Sequence, residues 1–228
     1  SNLAMQKVLP SKEEKNPFES AYNNYRYLVK SGKEQPLSTH ADRFDLNMAY
    51  GISAYSKGEI FLAQLGYIIG PENLMKTIKR YYHDFKFTHP TPNDIKRSAE
   101  KVSGANLDWY LLDWTQTTNT IDYGIKAIED ASGKTKVTLE RIGPMPIDVL
   151  VVYEDGTQET FYIPNPLMRW EKENPYPLER TVLQLWDWAY PTFSFEINKA
   201  KSAIVALVID PSELMADVNL DNNVYEKK

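Results

Sequence analysis

The residues predict an α+β protein, a multi-helix domain over residues 1–118 followed by a β-sandwich domain over 119–228. Three observations carry this. Apolar side chains recur at helical spacing in the first half, as in Tyr22, Tyr25 and Leu28, or Leu74, Ile78 and Tyr81. Short β-branched runs separated by Gly- and Pro-rich turns fill the second half. The texture changes once, near Asn119, in a chain that is 42% hydrophobic and so has material for one large domain or two small ones.

Asn16-Pro17 with Glu19 reads as an N-cap, a first-turn proline and an N3 acid, and Gly32 as the stop of that helix. A second, strongly apolar helix is expected over 53–69, ended by Gly70-Pro71. Gly58 inside it costs roughly 1 kcal/mol relative to Ala, which points to close packing by another element. Pro71 opens the next helix, Thr91-Pro92 with Asp94 repeats the entry signal, and Gly104 closes that one. A last short helix over 106–117 is expected to bury nearly all of Leu107, Trp109, Tyr110, Leu111, Leu112 and Trp114. The helices share no fixed period, so a solenoid of equal repeats is not expected. Strands are expected at 137–142, 147–153, 159–163, 180–185, 192–197 and 203–209, with a hairpin turn at Glu154-Asp155-Gly156-Thr157 and an irregular loop over 164–177. Short strands of this kind suit an Ig-like sandwich.

The chain has no cysteine, which removes disulfides, thiolate metal sites and a cysteine nucleophile together. No apolar run approaches ~18 residues, so no transmembrane segment is expected. Residues 1–120 carry 15 Lys/Arg against 13 Asp/Glu, and residues 121–228 carry 11 against 18. Neither half offers a basic footprint, so no nucleic-acid partner is expected. Oligomeric state is left open. The chain opens Ser1-Asn2-Leu3 without an initiator Met and reads as cut from a longer polypeptide.

The three histidines, His40, His83 and His89, form neither HExxH nor an i, i+4 pair, and surface roles suit them. No G-x-S-x-G supports a serine nucleophile. The tail from Asp217 through Asn223 spaces oxygen side chains like a calcium loop, but Asn222 replaces the required Gly and Lys228 the terminal Glu. A solvated or turn-forming terminus fits better. Trp186, Trp188, Tyr190 and Phe193 could form a carbohydrate platform, although packing in a β-domain explains them more simply.

Tyr55-Ser56-Lys57-Gly58, followed by Leu62, Leu65-Gly66 and Ile69-Gly70, resembles the Tyr-x-Lys-Gly helix of the gluzincin zinc aminopeptidases, the family of aminopeptidase N and leukotriene hydrolase. The resemblance continues in order through Tyr81-Tyr82, Phe87, Pro90-Thr91, Asp94, Ser103-Gly104, Leu107-Asp108-Trp109 and Asp113-Trp114. Asn119 through Gly124 is similar to the domain junction of bacterial members. The resemblance implies the C-terminal portion of such an enzyme, one that hydrolyses the bond at the amino terminus of peptide substrates. It assigns Tyr55 the role of hydrogen-bond donor to the oxyanion. A tyrosine phenol, titrating near ~10 in model peptides, is a neutral donor at pH 7. Zinc is implied for the parent protein and none for this chain, since HExxH and the family's GxMEN strand are absent from these residues. Asn2 through Gln6 looks like the end of the helix bearing the third zinc ligand. Alone, the chain is expected to be inactive. Likeness to bacterial members implies a periplasmic or secreted location. The competing expectation is a non-enzymatic helical and β-sandwich module that binds a protein or ligand.

Overall fold

The computed structural model describes residues 16–227, so Asn2 through Gln6 and Lys228 lie outside the described residues. Helices come first and strands second, an α+β arrangement. Helix α1 (Glu19–Ser31) starts later than the Asn16 cap implies. Asn16 accepts the Phe18 amide on its side chain at 2.8 Å, forming a short turn that leaves Phe18 at the cap position. Gly32, at φ +64°, ends the helix as expected.

The expected helix over 53–69 is part of a longer, irregular path. Helix α2 (Asn47–Gly51) runs through a π turn (Ile52–Lys57) into α3 (Gly58–Ile69). Nothing packs tightly on Gly58, where an added Cβ would meet only the Ser53 carbonyl at 3.9 Å. The close approach is instead at Gly66, where a Cβ would lie 2.8 Å from the end of the Leu74 side chain. Helix α4 (Pro71–Phe85) follows at once, then α5 (Pro92–Ser103) behind a complete capping box of Thr91 and Asp94. Helix α6 (Asp108–Gln116) buries Tyr110, Leu111 and Trp114, but Leu112 faces solvent.

Strands β1 (Asp122–Ala131), β2 (Lys134–Ile142) and β6 (Thr192–Ile197) form one antiparallel sheet in the order β1-β2-β6. The second sheet joins β5 (Arg180–Val182), β4 (Gln158–Ile163), β3 (Ile147–Tyr153), β7 (Ile204–Ile209) and β8 (Val224–Glu226), in that order. Only the β4–β5 pairing of this sheet is parallel. Phe161 of β4 and Phe195 of β6 meet with ring centroids 5.0 Å apart, so the sheets face one another. Ile147, Val149 and Val151 alternate along β3 into that space, as a period of two requires.

On the outer face of β3 Asp148 is buried and Leu150 and Val152 are half-buried, because loops 164–179 and 210–218 close over its start. The turn before β3 and loop 210–218 also stitch the halves together. Tyr67 of α3 donates to the Pro146 carbonyl at 3.1 Å, and the Ala216 amide donates to Gln64 at 2.8 Å. Arg26 of α1 donates to the Asp217 carbonyl at 2.9 Å, and Tyr22 donates to the Leu214 carbonyl. The apolar core is accordingly one cluster running from Tyr22 and Tyr25 to Leu207 and Ile209. No helix among the described residues is long and apolar enough to cross a membrane.

Candidate functional site

Tyr55 sits in the π turn, where Gly58 N–H bonds to the Ser53 carbonyl five residues back. A turn this wide is uncommon in helices and recurs at functional sites. The Tyr55 ring is 79% exposed, and its hydroxyl makes no hydrogen bond among the described residues. Ala54 beside it is exposed too, but the rest of the turn faces inward. Ser53, Ser56 and Lys57 are buried, and Lys57 donates to the Glu34 carboxylate at 2.6 Å. Burial holds the Glu34 carboxyl above its ordinary range, against the pull of the Lys57 ammonium. Trp114 reaches in from α6 and donates its indole N–H to the Lys57 carbonyl at 3.3 Å. Beside Gly58 lies a cavity of about 320 Å³ lined by Leu37, Phe61, Tyr81, Pro92 and Ile95, and Tyr55 is not among its walls.

The arrangement therefore offers one free phenol on a firmly seated turn. It can donate a proton to, or share one with, a group brought to it from outside.

The histidines stay apart. His40 accepts the Asp42 amide at 3.3 Å at the head of a short 3₁₀ turn, and His83 bonds its neighbour Asp84 at 2.9 Å. No group of three His, Asp or Glu side chains suited to a metal occurs among the described residues. The calcium-like tail is turn-forming, with a 3₁₀ turn over Leu220–Asn222 that exposes Leu220 and Asp221, and is tied into the fold on either side. Asp217 accepts the amides of Tyr123 (2.9 Å) and Asn219 (2.8 Å), and Asn222 donates to Asp122 at 2.9 Å. Val224–Glu226 then adds a strand to β7.

The aromatic group divides. Trp186 is buried, stacked on Phe193 at 5.4 Å and capped by the Arg141 guanidinium at 4.4 Å. Trp188 and Tyr190 are exposed, and they border a cavity of about 530 Å³ with Arg141, Pro144 and Leu167.

One cluster went unnoticed in the sequence. Asp148 on the outer face of β3 pairs with Lys172, whose ammonium also lies 3.5 Å from the centroid of the Tyr67 ring, while Asp210 is buried close by. Burial pulls the Lys172 ammonium down and pushes the Asp210 carboxyl up, each against its partners. A pair this dry is a tie between loop, sheet and helix. Its members lie far apart in the chain and carry no local pattern.

Residues 4–114 match a family whose description is "Peptidase family M1 domain". The comparison with curated proteins returned no match. Among solved structures, the chain is similar to aminopeptidase A of Legionella pneumophila in complex with aspartic acid, at 12% identity and a TM-score of 0.49. That match covers 88% of this chain and 22% of the other, so the present chain spans about a fifth of that protein's length.

Proposed function

We propose, on the premise that the helical half of this chain is peptidase-family-M1-like, that the chain is the carboxy-terminal part of a zinc aminopeptidase in which Tyr55 meets the reacting carbonyl. The observation that carries this reading is the Tyr55 phenol, exposed and unpartnered among the described residues on a π turn whose Ser53, Ser56 and Lys57 are buried. When water adds to a peptide carbonyl, negative charge develops on its oxygen. A phenol already aimed at that point gains more from the transition state than from the substrate, which is what lowers a barrier.

Zinc, when bound in such an enzyme, polarises the scissile carbonyl. The described residues do not fit a zinc site. His40 and His83 are each engaged by a neighbouring residue, and no third ligand approaches either. The metal ligands are therefore proposed to belong to another part of a longer polypeptide. Peptide substrates, and a periplasmic or secreted location, are proposed for that whole protein.

The test has two arms. The isolated chain should bind zinc well below stoichiometry and leave amino-acid anilides uncleaved; one tight zinc per chain would overturn the assignment. In the intact polypeptide, Tyr55→Phe should lower kcat by ~10²–10³ with little change in KM. An unchanged kcat removes Tyr55 from the mechanism.

A second reading, a non-enzymatic binding module, draws on the exposed Trp188 and Tyr190 beside their cavity. The reading frame upstream of Ser1 separates the two, since an HExxH there sinks the second.

A further inference from the structure

The π turn that carries Tyr55 poses a physical problem. A π turn gives up the tight packing of an α-helix, so the chain returns to α spacing unless other contacts hold it. That return would displace the residues on one side of the turn by one position, roughly 100° of rotation about the axis. Tyr55 would then point elsewhere.

Five contacts oppose this from the buried side. Lys57 donates to Glu34 at 2.6 Å, with the two side chains only 1% and 6% exposed. The same ammonium lies 5.2 Å from the centroid of the Trp114 ring and 5.9 Å from that of Tyr25. The Trp114 indole donates to the Lys57 carbonyl at 3.3 Å. Asn24 of α1 donates to the Ser56 hydroxyl at 3.1 Å. Packing alone does not call for a charge here, because a well-fitted apolar pair often stabilises a core as much as a buried ion pair does. What the pair supplies is direction. It ties one atom of the turn to one atom beyond the end of α1, and no sliding apolar contact does that.

We infer that Glu34, Lys57 and Trp114 are positioning residues that lock the π turn and so present the Tyr55 phenol to solvent. The inference rests on the reading of Tyr55 given above, and it adds the residues through which that side chain is aimed.

Hydrogen exchange and NMR on the full chain test it without any turnover. In Lys57→Met, the amides of residues 53–58 should exchange about 10-fold faster or more, and the Tyr55 ring resonances should shift. Leu74→Ala is the comparison. It opens a cavity near Gly66 in the same helical half, and it should raise exchange broadly without singling out 53–58 or moving the Tyr55 ring. Glu34→Gln keeps an acceptor of the same shape, so the local pattern should persist at smaller amplitude even if Lys57→Met does not fold. If exchange rises evenly, as in Leu74→Ala, or if residues 53–58 and the Tyr55 ring do not respond, the positioning role is wrong. Because neither readout depends on activity, this failure is distinct from an unchanged kcat in Tyr55→Phe, which sinks only the catalytic reading.

Discussion

At Asp217 two effects compete, and burial wins. The amides of Tyr123 and Asn219 favour the carboxylate, yet desolvation raises its pKa to about 6. The folded chain therefore keeps a proton up to about pH 6 that the unfolded chain gives up near ~4. Below the lower value the contribution to stability is complete, and it is lost as pH rises through the upper one, on the order of 2–3 kcal/mol in all. Urea midpoints of the wild type and Asp217→Asn across pH 4–7 should diverge in slope, the wild type losing more stability on the way up. Parallel curves would show that the carboxyl titrates normally.

Among the elements, α5 has the most explicit local instructions. Thr91 accepts the Asp94 amide while the Asp94 carboxylate takes the Thr91 amide at 2.7 Å, so two amides that begin the helix are satisfied reciprocally. Thr91→Ala should cost about 1 kcal/mol by chemical denaturation; no loss would mean that Pro92 and tertiary packing already fix the helix start. Signals of this kind are why Thr91-Pro92-Asp94, Gly32, Gly104 and the limits of β3 and β6 were legible from residues alone. The π turn was not, because Ile52–Lys57 is only 6 residues long, too short for its change of phase to stand out against the apolar run that follows. Strand β1 was hidden by Lys126, Glu129 and Asp130 and by a bulge between Ile125 and Ala127, which breaks the alternation. Strand β8 is three residues long and exists through its pairing with β7. Asp148 and Lys172 carried no signal in the sequence because their burial depends on loops that close only in three dimensions. At the candidate site, motif likeness pointed to Tyr55, the residue the proposal rests on, while Glu34 and Trp114 beneath it required the fold.

Across the whole molecule the two halves share a core, so the helices depend on the strands. Residues 1–118 expressed alone lose the Pro146, Leu214, Ala216 and Asp217 backbone groups that Tyr67, Tyr22, Gln64 and Arg26 engage. They also expose apolar surface that the loops cover. That fragment should be poorly soluble, and a stable monomer on a sizing column would count against this. The stitch from Arg26 to Asp217 spans 191 positions of sequence, and such distant contacts are slow to form. On the ribosome, helix α1 emerges long before the residues that fasten it. The nascent helical half must wait through a further 191 residues of synthesis with Arg26 unfastened. Chaperone capture and proteolysis should therefore concentrate in that interval and end as the segment around Asp217 clears the exit tunnel.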